Sequence, residues 1–380
     1  MKVLYIVNTT GMGGGNISFI NLIQGMSSRG VEVYIVHPDK NIDSDFLART
    51  KEYVKEYYYV PLHPQVMNHG SSFLGRCKRV IKRLLRYDAV LLKFEIRKVK
   101  RVVKKIQPNL IHTNVGVIHS GYYSAKKLGI PHVWHVREYQ DKDFNWIILP
   151  SKEKFISYLN NTYVITITRD LLKYFRLENS PKATCIYNGC FSKAEVALDM
   201  PKEKYFLCCS RVSPEKGHDE VIKAFSEFRK EYPDYKLIIA GFGPSNYIDK
   251  LKGLAESLGC SEGVSFVGYY DDVRPLMDKA SALIVASRFE GFGRMTAEAA
   301  FRGCLVIGRN TGGTREILEQ IEGYPFEKGV GEIIEKMRNI AELSNEDYQM
   351  KARQSQEIAC RLFSNEQYVD AVYNVYQTLW

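Results

Sequence analysis

Short runs rich in apolar, β-branched and aromatic residues alternate along the whole chain with longer stretches whose apolar positions recur at helical spacing. A run that is apolar at every position suits a strand buried on both faces, and a helical stripe suits a helix laid over such a sheet. The alternation therefore predicts parallel α/β architecture. The runs place strands at 2–8, 31–37, 110–113, 132–135 and 163–166, and a second series at 205–210, 236–240, 264–267, 282–286 and 305–307. Between the two series, residues 188–204 show neither period and contain Gly189 and Pro201, which marks a junction between two domains. The chain closes on a helix opening at Ser364 and Asn365, with Tyr368, Val372, Val375 and Leu379 on one stripe.

Composition agrees with two globular domains: 380 residues, 45% hydrophobic and 25% charged, exceed one ordinary core and lack the balance of a disordered chain. The opening run at 3–7 is too short for a signal-peptide core or a membrane span and leads into a glycine turn, so it is expected as a buried first strand. The eight cysteines form no CxxC pair, and Cys208 and Cys209 sit side by side in a strand-like run, which suggests buried thiols in a reducing cytoplasm.

Charge changes the picture more, because the net +10 is concentrated. Residues 73–106 hold 13 of the 53 Lys/Arg and 2 of the 43 Asp/Glu, and the remainder is nearly neutral. Leu74, Cys77, Val80, Ile81, Leu84 and Leu85 recur at helical spacing with Arg76, Lys78, Arg79, Lys82, Arg83 and Arg86 opposite, predicting a basic amphipathic helix at 73–87. Two readings stay open: peripheral contact with an anionic membrane, and a core-packed helix with a solvated face. Nucleic acid is not expected as a partner, since no recognition motif or aromatic platform accompanies the charge.

Candidate chemistry begins directly after the first strand, where Gly11, Gly13, Gly14 and Gly15 lead into a helix. Such a junction lets phosphate oxygens approach bare backbone N–H groups at the positive end of a helix, or it serves as a tight turn for helix–sheet packing. The dinucleotide fingerprint fails because Asn16 stands where its third glycine belongs, which weakens a plain NAD site. Asp39, just past the second strand, could imitate the fingerprint's ribose-binding acid, but an aspartate there is more often a turn residue.

The second half carries the more specific constellation. Ser210-Arg211-Val212-Ser213-Pro214-Glu215-Lys216-Gly217 follows a strand and offers two cations to a diphosphate. Glu290-Gly291-Phe292-Gly293-Arg294-Met295-Thr296-Ala297-Glu298 follows another, with a helix expected at 296–301 and Glu298 in its first turn. Carboxylates accept from paired hydroxyls, as on a ribose or a pyranose, and repel phosphate. Gly312 and Gly313, before Thr314, Arg315 and Glu316, add a further tight approach at the same sheet edge.

Arg211 and Lys216 within SRVSPEKG, the two glutamates of the run from 290 to 298, and TGGTRE at 311–316 resemble family 4 glycosyltransferases. The N-terminal glycine loop, Tyr187-Asn188-Gly189 and the final helix are similar to the same family's pattern, so the likeness covers nearly the whole chain. The resemblance implies the GT-B fold, α/β with two Rossmann-like domains across a cleft. An acceptor-binding domain would span 1–190 plus 364–380, its last helix crossing back, and a nucleotide-sugar domain 191–363. It implies a retaining, metal-independent hexosyltransferase with no cofactor and a nucleotide sugar, uridine favoured over guanosine, as substrate. His135, Arg211, Lys216 and Glu290 would form the catalytic set. Gly14, Gly15, Arg211, Lys216, Glu290, Phe292, Gly293 and Glu298 would bind donor: cations on the diphosphate, Glu298 on the ribose, Glu290 with the Phe292 and Gly293 backbone on the sugar.

His135 lies in Trp134-His135-Val136-Arg137-Glu138, where Arg137 and Glu138 either bind acceptor or pair with each other. Arg294 occupies a position commonly apolar in the family, and either alters acceptor contacts or decorates the loop. Glu290 is not assigned as nucleophile, since the family's front-face reaction lets the leaving phosphate take the acceptor proton. Two DxD triplets, Asp43-Ser44-Asp45 and Asp141-Lys142-Asp143, lie outside the donor loops and no metal is expected there. A saccharide or lipid-linked saccharide at the cytoplasmic face of the cell membrane is the expected acceptor. Two alternatives are a noncatalytic sugar-nucleotide-binding subunit, which should lack the donor residues present here, and an oxidoreductase or epimerase, which should keep an intact fingerprint.

Overall fold

The computed structural model describes residues 1–68, 87–196, 201–327 and 329–380, so the basic helix expected at 73–87 lies outside the described residues up to Tyr87. The chain divides into two compact units, Met1–Gly189 with Asn365–Trp380, and Cys190–Ser364.

The first unit is built on strands β1 (Lys2–Ile6), β2 (Glu32–His37), β3 (Val54–Tyr59), β4 (Val66–Asn68), β5 (Leu110–Thr113), β6 (His132–Val136), β7 (Trp146–Ile148), β8 (Tyr163–Thr166) and β9 (Ala183–Cys185). Seven of them form a parallel sheet in the order β3-β2-β1-β5-β6-β8-β9, and β4 and β7 make a separate antiparallel ribbon. Its helices are α1 (Gly14–Ser28), α2 (Ser44–Thr50), α3 (Tyr87–Ile106), α4 (Ser120–Leu128), α5 (Asp141–Phe144), α6 (Lys152–Leu159) and α7 (Arg169–Tyr174).

The second unit contributes β10 (Glu203–Cys209), β11 (Lys236–Ala240), β12 (Val264–Gly268), β13 (Ala280–Val285), β14 (Leu305–Arg309) and β15 (Tyr324–Phe326), all parallel, in the order β12-β11-β10-β13-β14-β15. Around them lie α8 (His218–Glu231), α9 (Ser245–Ser257), α10 (Arg274–Lys279), α11 (Arg294–Phe301), α12 (Gly312–Ile321), α13 (Gly329–Ala341) and α14 (Asn345–Phe363). The last helix, α15 (Asn365–Gln377), returns to the first unit.

Every run read as a strand became one; most are buried on both faces, as a parallel sheet demands, whereas β12 at an edge has no fully buried residue. The strands that were missed are short or at edges. In β3 only Val54 is buried, so its sequence VKEYYY shows no apolar run. The last helix buries Tyr368, Val369, Val372 and Tyr376, a stripe turned from the expected one by its seat on α1. A Cβ at Gly25 of α1 would lie 2.5 Å from Val369 Cγ2, so the glycine is what lets the two helices approach. No described helix is long and apolar enough to cross a membrane.

Candidate active site

In both sheets the chain winds outward in one direction and then crosses back, leaving a switch point between β1 and β5 in the first unit and between β10 and β13 in the second. Doubly wound sheets bind ligands at the strand C-termini beside that point.

In the second unit the β10 loop ends in a single tight turn, Pro214–Lys216, closed by Gly217 at φ +71°. A Cβ on Gly217 would lie 2.4 Å from the Ala286 carbonyl oxygen, and Arg288 N–H donates to Glu215 O at 2.8 Å, so the loop is seated on the end of β13. That seat carries Lys216 to Glu290: Nζ and Oε1 are 2.5 Å apart, with the side chains 19% and 23% exposed. The structure thus joins two predicted site residues 74 positions apart, across the switch point. Arg211 remains at the rim, 61% exposed, and pairs with its near neighbour Glu215.

Helix α11 starts two residues earlier than expected, because Gly293 at φ +83° caps it. Glu298 consequently sits in the second turn, beyond the first turn assigned from the sequence. Its carboxylate is buried, burial pushes its pKa up, and Arg294 opposes that rise through an Nε–Oε1 contact of 2.6 Å. Neither sequence reading of Arg294 describes this: the guanidinium is mostly buried, holds Glu298, and also donates to Cys190 O at 3.3 Å.

The TGG turn makes the tight approach expected of it, and makes it to protein backbone. A Cβ on Gly312 would lie 2.4 Å from Glu290 O, and one on Gly313 would lie 2.3 Å from Phe292 O. These glycines let protein backbone pack against the glutamate loop, and Gly313 N–H donates to Glu290 O at 2.9 Å. The Phe292 side chain is buried near Phe363. Helices α8, α11 and α12 begin at Gly217, Gly293 and Thr311 with no side-chain cap, leaving the positive ends of three helices near the Lys216–Glu290 pair.

Three features of this edge escaped sequence reading. Phe242 and Tyr269, in the loops after β11 and β12, are 62% and 66% exposed with ring centroids 5.9 Å apart. The Phe242 loop is tied to the Arg211 loop by Val212 N–H donating to Phe242 O at 2.8 Å. Gly241 and Gly268, each just before an aromatic, were the available signal. His218, buried at the start of α8, is pushed down to about 4 by burial and then by Lys216.

In the first unit the glycine loop after β1 stands open. A Cβ on Gly13 or Gly15 would meet nothing within 4 Å among the described residues, and α1, which begins at Gly14, has no side-chain cap there. Asn16 braces the loop, donating through Nδ2 to Thr9 O at 3.0 Å and Gly11 O at 2.8 Å. Asp39 accepts from Thr10 N–H and Oγ1–H, so it acts as the turn residue it was read as.

His135 lies on β6 with no solvent exposure, its Nδ1 3.4 Å from Arg137 and its Nε2 without a hydrogen-bond partner among the described residues. Burial first, then Arg137 and His112, hold it well below the usual histidine pKa, so it is neutral. The side chains of Arg137 and Glu138 do not pair with each other. Arg137 donates to Asn114 Oδ1, Asn188 Oδ1 and Tyr368 OH. The Glu138 carboxylate accepts from the backbone N–H groups of Gly116, Val117 and Arg137, and burial pushes its pKa up to about 7.

The DxD triplets have local duties. Asp43 caps α2, Asp45 pairs with Arg49, Asp143 accepts from Tyr139 N–H, and Asp141 accepts from Tyr174 OH. Among the described residues no group of three or more His, Cys, Asp or Glu is placed to hold a metal ion.

Two family descriptions match the chain in the order of its units, Glycosyltransferase Family 4 over residues 12–190 and Glycosyl transferases group 1 over 193–357. The poly(glycerol-phosphate) alpha-glucosyltransferase of Bacillus subtilis is 31% identical over 183 residues, covering 47% of this chain and 27% of that protein. The alpha-monoglucosyldiacylglycerol synthase of Streptococcus pneumoniae is 29% identical over 200 residues, 45% of this chain and 44% of that one. The chain spans less than half the length of these two relatives. In fold it matches HepE of Anabaena, a crystal structure in complex with UDP, over the full length of both chains, with a TM-score of 0.79 at 18% identity. The two parallel sheets are those of the GT-B fold. The chain belongs to the family 4, group 1 glycosyltransferases.

Proposed function

We propose that the protein moves a hexose or N-acetylhexosamine from a UDP-sugar to a saccharide acceptor, retaining anomeric configuration and needing no metal ion. The observation that carries this reading is the Lys216–Glu290 pair at the switch point, a cation for phosphate beside a carboxylate for hydroxyls. An arriving diphosphate competes with Glu290 for Lys216, and the released carboxylate accepts from the sugar. Arg211 leaves Glu215 to join Lys216 on the diphosphate, and the uncapped ends of α8 and α11 add positive potential. Glu298 takes the ribose hydroxyls and the Phe292–Gly293 backbone supports the sugar; in the first unit, the open face at Gly14 and Gly15 suits a phosphate. Phe242 and Tyr269 suit a nucleobase, since exposed rings at a strand end offer a stacking surface. HepE with UDP favours uridine.

As the bond from the anomeric carbon to the β-phosphate oxygen breaks, negative charge grows on that oxygen, where Arg211 and Lys216 stabilise it. The acceptor hydroxyl attacks from the same face, forming the new glycosidic bond and passing its proton to the leaving phosphate. A neutral, enclosed His135 is not the base in this scheme. With Arg137 and Glu138 it shapes the acceptor side of the first unit.

A lipid-linked acceptor at an anionic membrane is part of the proposal. Helix α3 exposes Val90 and Phe94 one turn apart, with Lys93, Arg97, Arg101, Lys104 and Lys105 on the same outer face, continuing the basic run before it. The test is to incubate UDP- and GDP-sugars with the protein, with and without EDTA, and to follow nucleotide release and product anomer by NMR. Consumption of a UDP-sugar, an α product from an α donor, indifference to EDTA and a loss of about a hundredfold in Lys216→Ala are expected. Consumption of GDP-sugars alone, an inverted product or loss of activity with EDTA would each remove the corresponding part of the reading.

A further inference from the structure

Arg294 is the first residue of α11, where a positive charge opposes the helix dipole and an acid is the favoured choice. Something must offset that placement, and Glu298, one turn on along the same face, does so with its Oε1 2.6 Å from Arg294 Nε. Both side chains are largely buried, 14% and 8% exposed, and the guanidinium is anchored from a second side on Cys190 O. No other hydrogen bond to the Glu298 carboxylate is made among the described residues. This pair is therefore unlike the rim contact of Arg211 with Glu215, where both partners face water.

The groups that face Glu298 define its charge state. From its own helix comes Arg294, from the start of α10 Arg274, from the end of β10 the Cys209 thiol, and from the segment before β10 the Cys190 thiol. Burial pushes both thiols up to about 12, so they are uncharged near neutral pH and the two guanidiniums set the local field. A buried carboxyl without such a partner takes up a proton, and a protonated carboxyl spends one of its oxygens as a donor.

We propose that Arg294 is a positioning residue of the nucleotide site, holding the Glu298 carboxylate in one orientation and as a charged acceptor for the paired hydroxyls of a ribose. The inference rests on the donor site proposed above. It gives Arg294 a role in nucleotide recognition that acts through the carboxylate it holds.

The test is calorimetric titration of UDP from about pH 5.5 to about pH 8.5 into the wild type, Arg294→Met, Arg294→Lys and Glu298→Gln. Dividing each variant's affinity by that of the wild type at the same pH cancels the nucleotide's own protonation. Arg294→Met is expected to weaken UDP about tenfold near neutrality, with the loss growing as pH falls, because Glu298 then protonates at higher pH. Arg294→Lys should recover most of the affinity and the wild-type pH profile. Should the Met variant not fold, Arg294→Gln takes its place in the same comparison. A neutral variant that binds UDP like the wild type, or more weakly by one constant factor at every pH, overturns the proposal and leaves the donor site standing. Wild-type affinity in Glu298→Gln would instead sink the donor site itself.

Discussion

The glycine-rich strand ends of the two units use the same residue for different reasons. In the first unit no glycine of the loop 11–15 has a positive φ, and the faces of Gly13 and Gly15 are open. In the second, Gly217, Gly293 and Gly312 lie at φ +71°, +83° and +52°, and Gly217, Gly312 and Gly313 are pressed against backbone oxygens. The second cluster is part of how its loops stack, whereas the first leaves room that no described residue fills. Charge is also handled differently. The first unit buries His112, His119, His132 and His135 uncharged, while the second matches its buried and half-buried charges as Lys216–Glu290, Arg294–Glu298 and Arg302–Asp278.

The largest effect expected from this contrast is in acid. His119 and His132, pushed down to about 3 by burial alone, keep the folded first unit from binding protons that its unfolded chain takes up below the ordinary value of 6.5. Their stabilisation is present above that value and is lost as pH falls toward 3. Glu138 and Glu95, raised from 4.5 to about 7, act in reverse: their contribution is present below 4.5 and lost as pH rises to 7. The two groups oppose each other between those limits. Because His112 and His135 are also held well below 6.5, the histidines outnumber these carboxyls, so loss in the first unit should begin below about pH 6.5 and be steepest below about pH 4.5, where His119 and His132 alone cost on the order of 3 kcal/mol per pH unit. Hydrogen exchange resolved by unit should show it opening before the second unit, where His218 is the comparable buried histidine among the described residues. Equal acid lability of the two units would break the comparison.

Next in size is Gly217→Ala, which forces a left-handed conformation and a contact with Ala286 O. A loss of about 2–4 kcal/mol is expected, seen by calorimetry as a drop of roughly 5–10 °C for a unit of this size. Gly15→Ala should do the opposite to stability, gaining up to about 1 kcal/mol inside α1. It should also cost about tenfold or more in kcat/KM if a ligand uses the open face. Undiminished turnover would make that loop a turn and nothing more. Smallest is Glu215→Ala, whose exposed pair with Arg211 should change stability by less than about 0.5 kcal/mol in a melting experiment.

The architecture was legible because apolar periodicity is a local property that survives into the fold. Of the strands that escaped, β3, β9 and β15 lie at sheet edges and β4 and β7 form a ribbon of three-residue strands, where burial on one side or so short a length leaves little pattern. The chemistry of the second unit was half legible. Arg211, Lys216, Glu290 and Glu298 could be named from their loops, but not that Glu298 would be held by Arg294, because that depends on where Gly293 starts the helix.

The sequence by itself determined the two parallel sheets, the helix that returns to the first unit, and which loops carry cations, carboxylates and glycines at strand ends. Only the tertiary structure decided which of those groups meet. Lys216 joins Glu290 over 74 residues, Arg137 joins Asn188 over 51, and His135 loses its solvent to the first unit's interior. Periodicity is written in neighbouring residues, whereas a contact between distant ones exists only after the sheets have set where each loop lands.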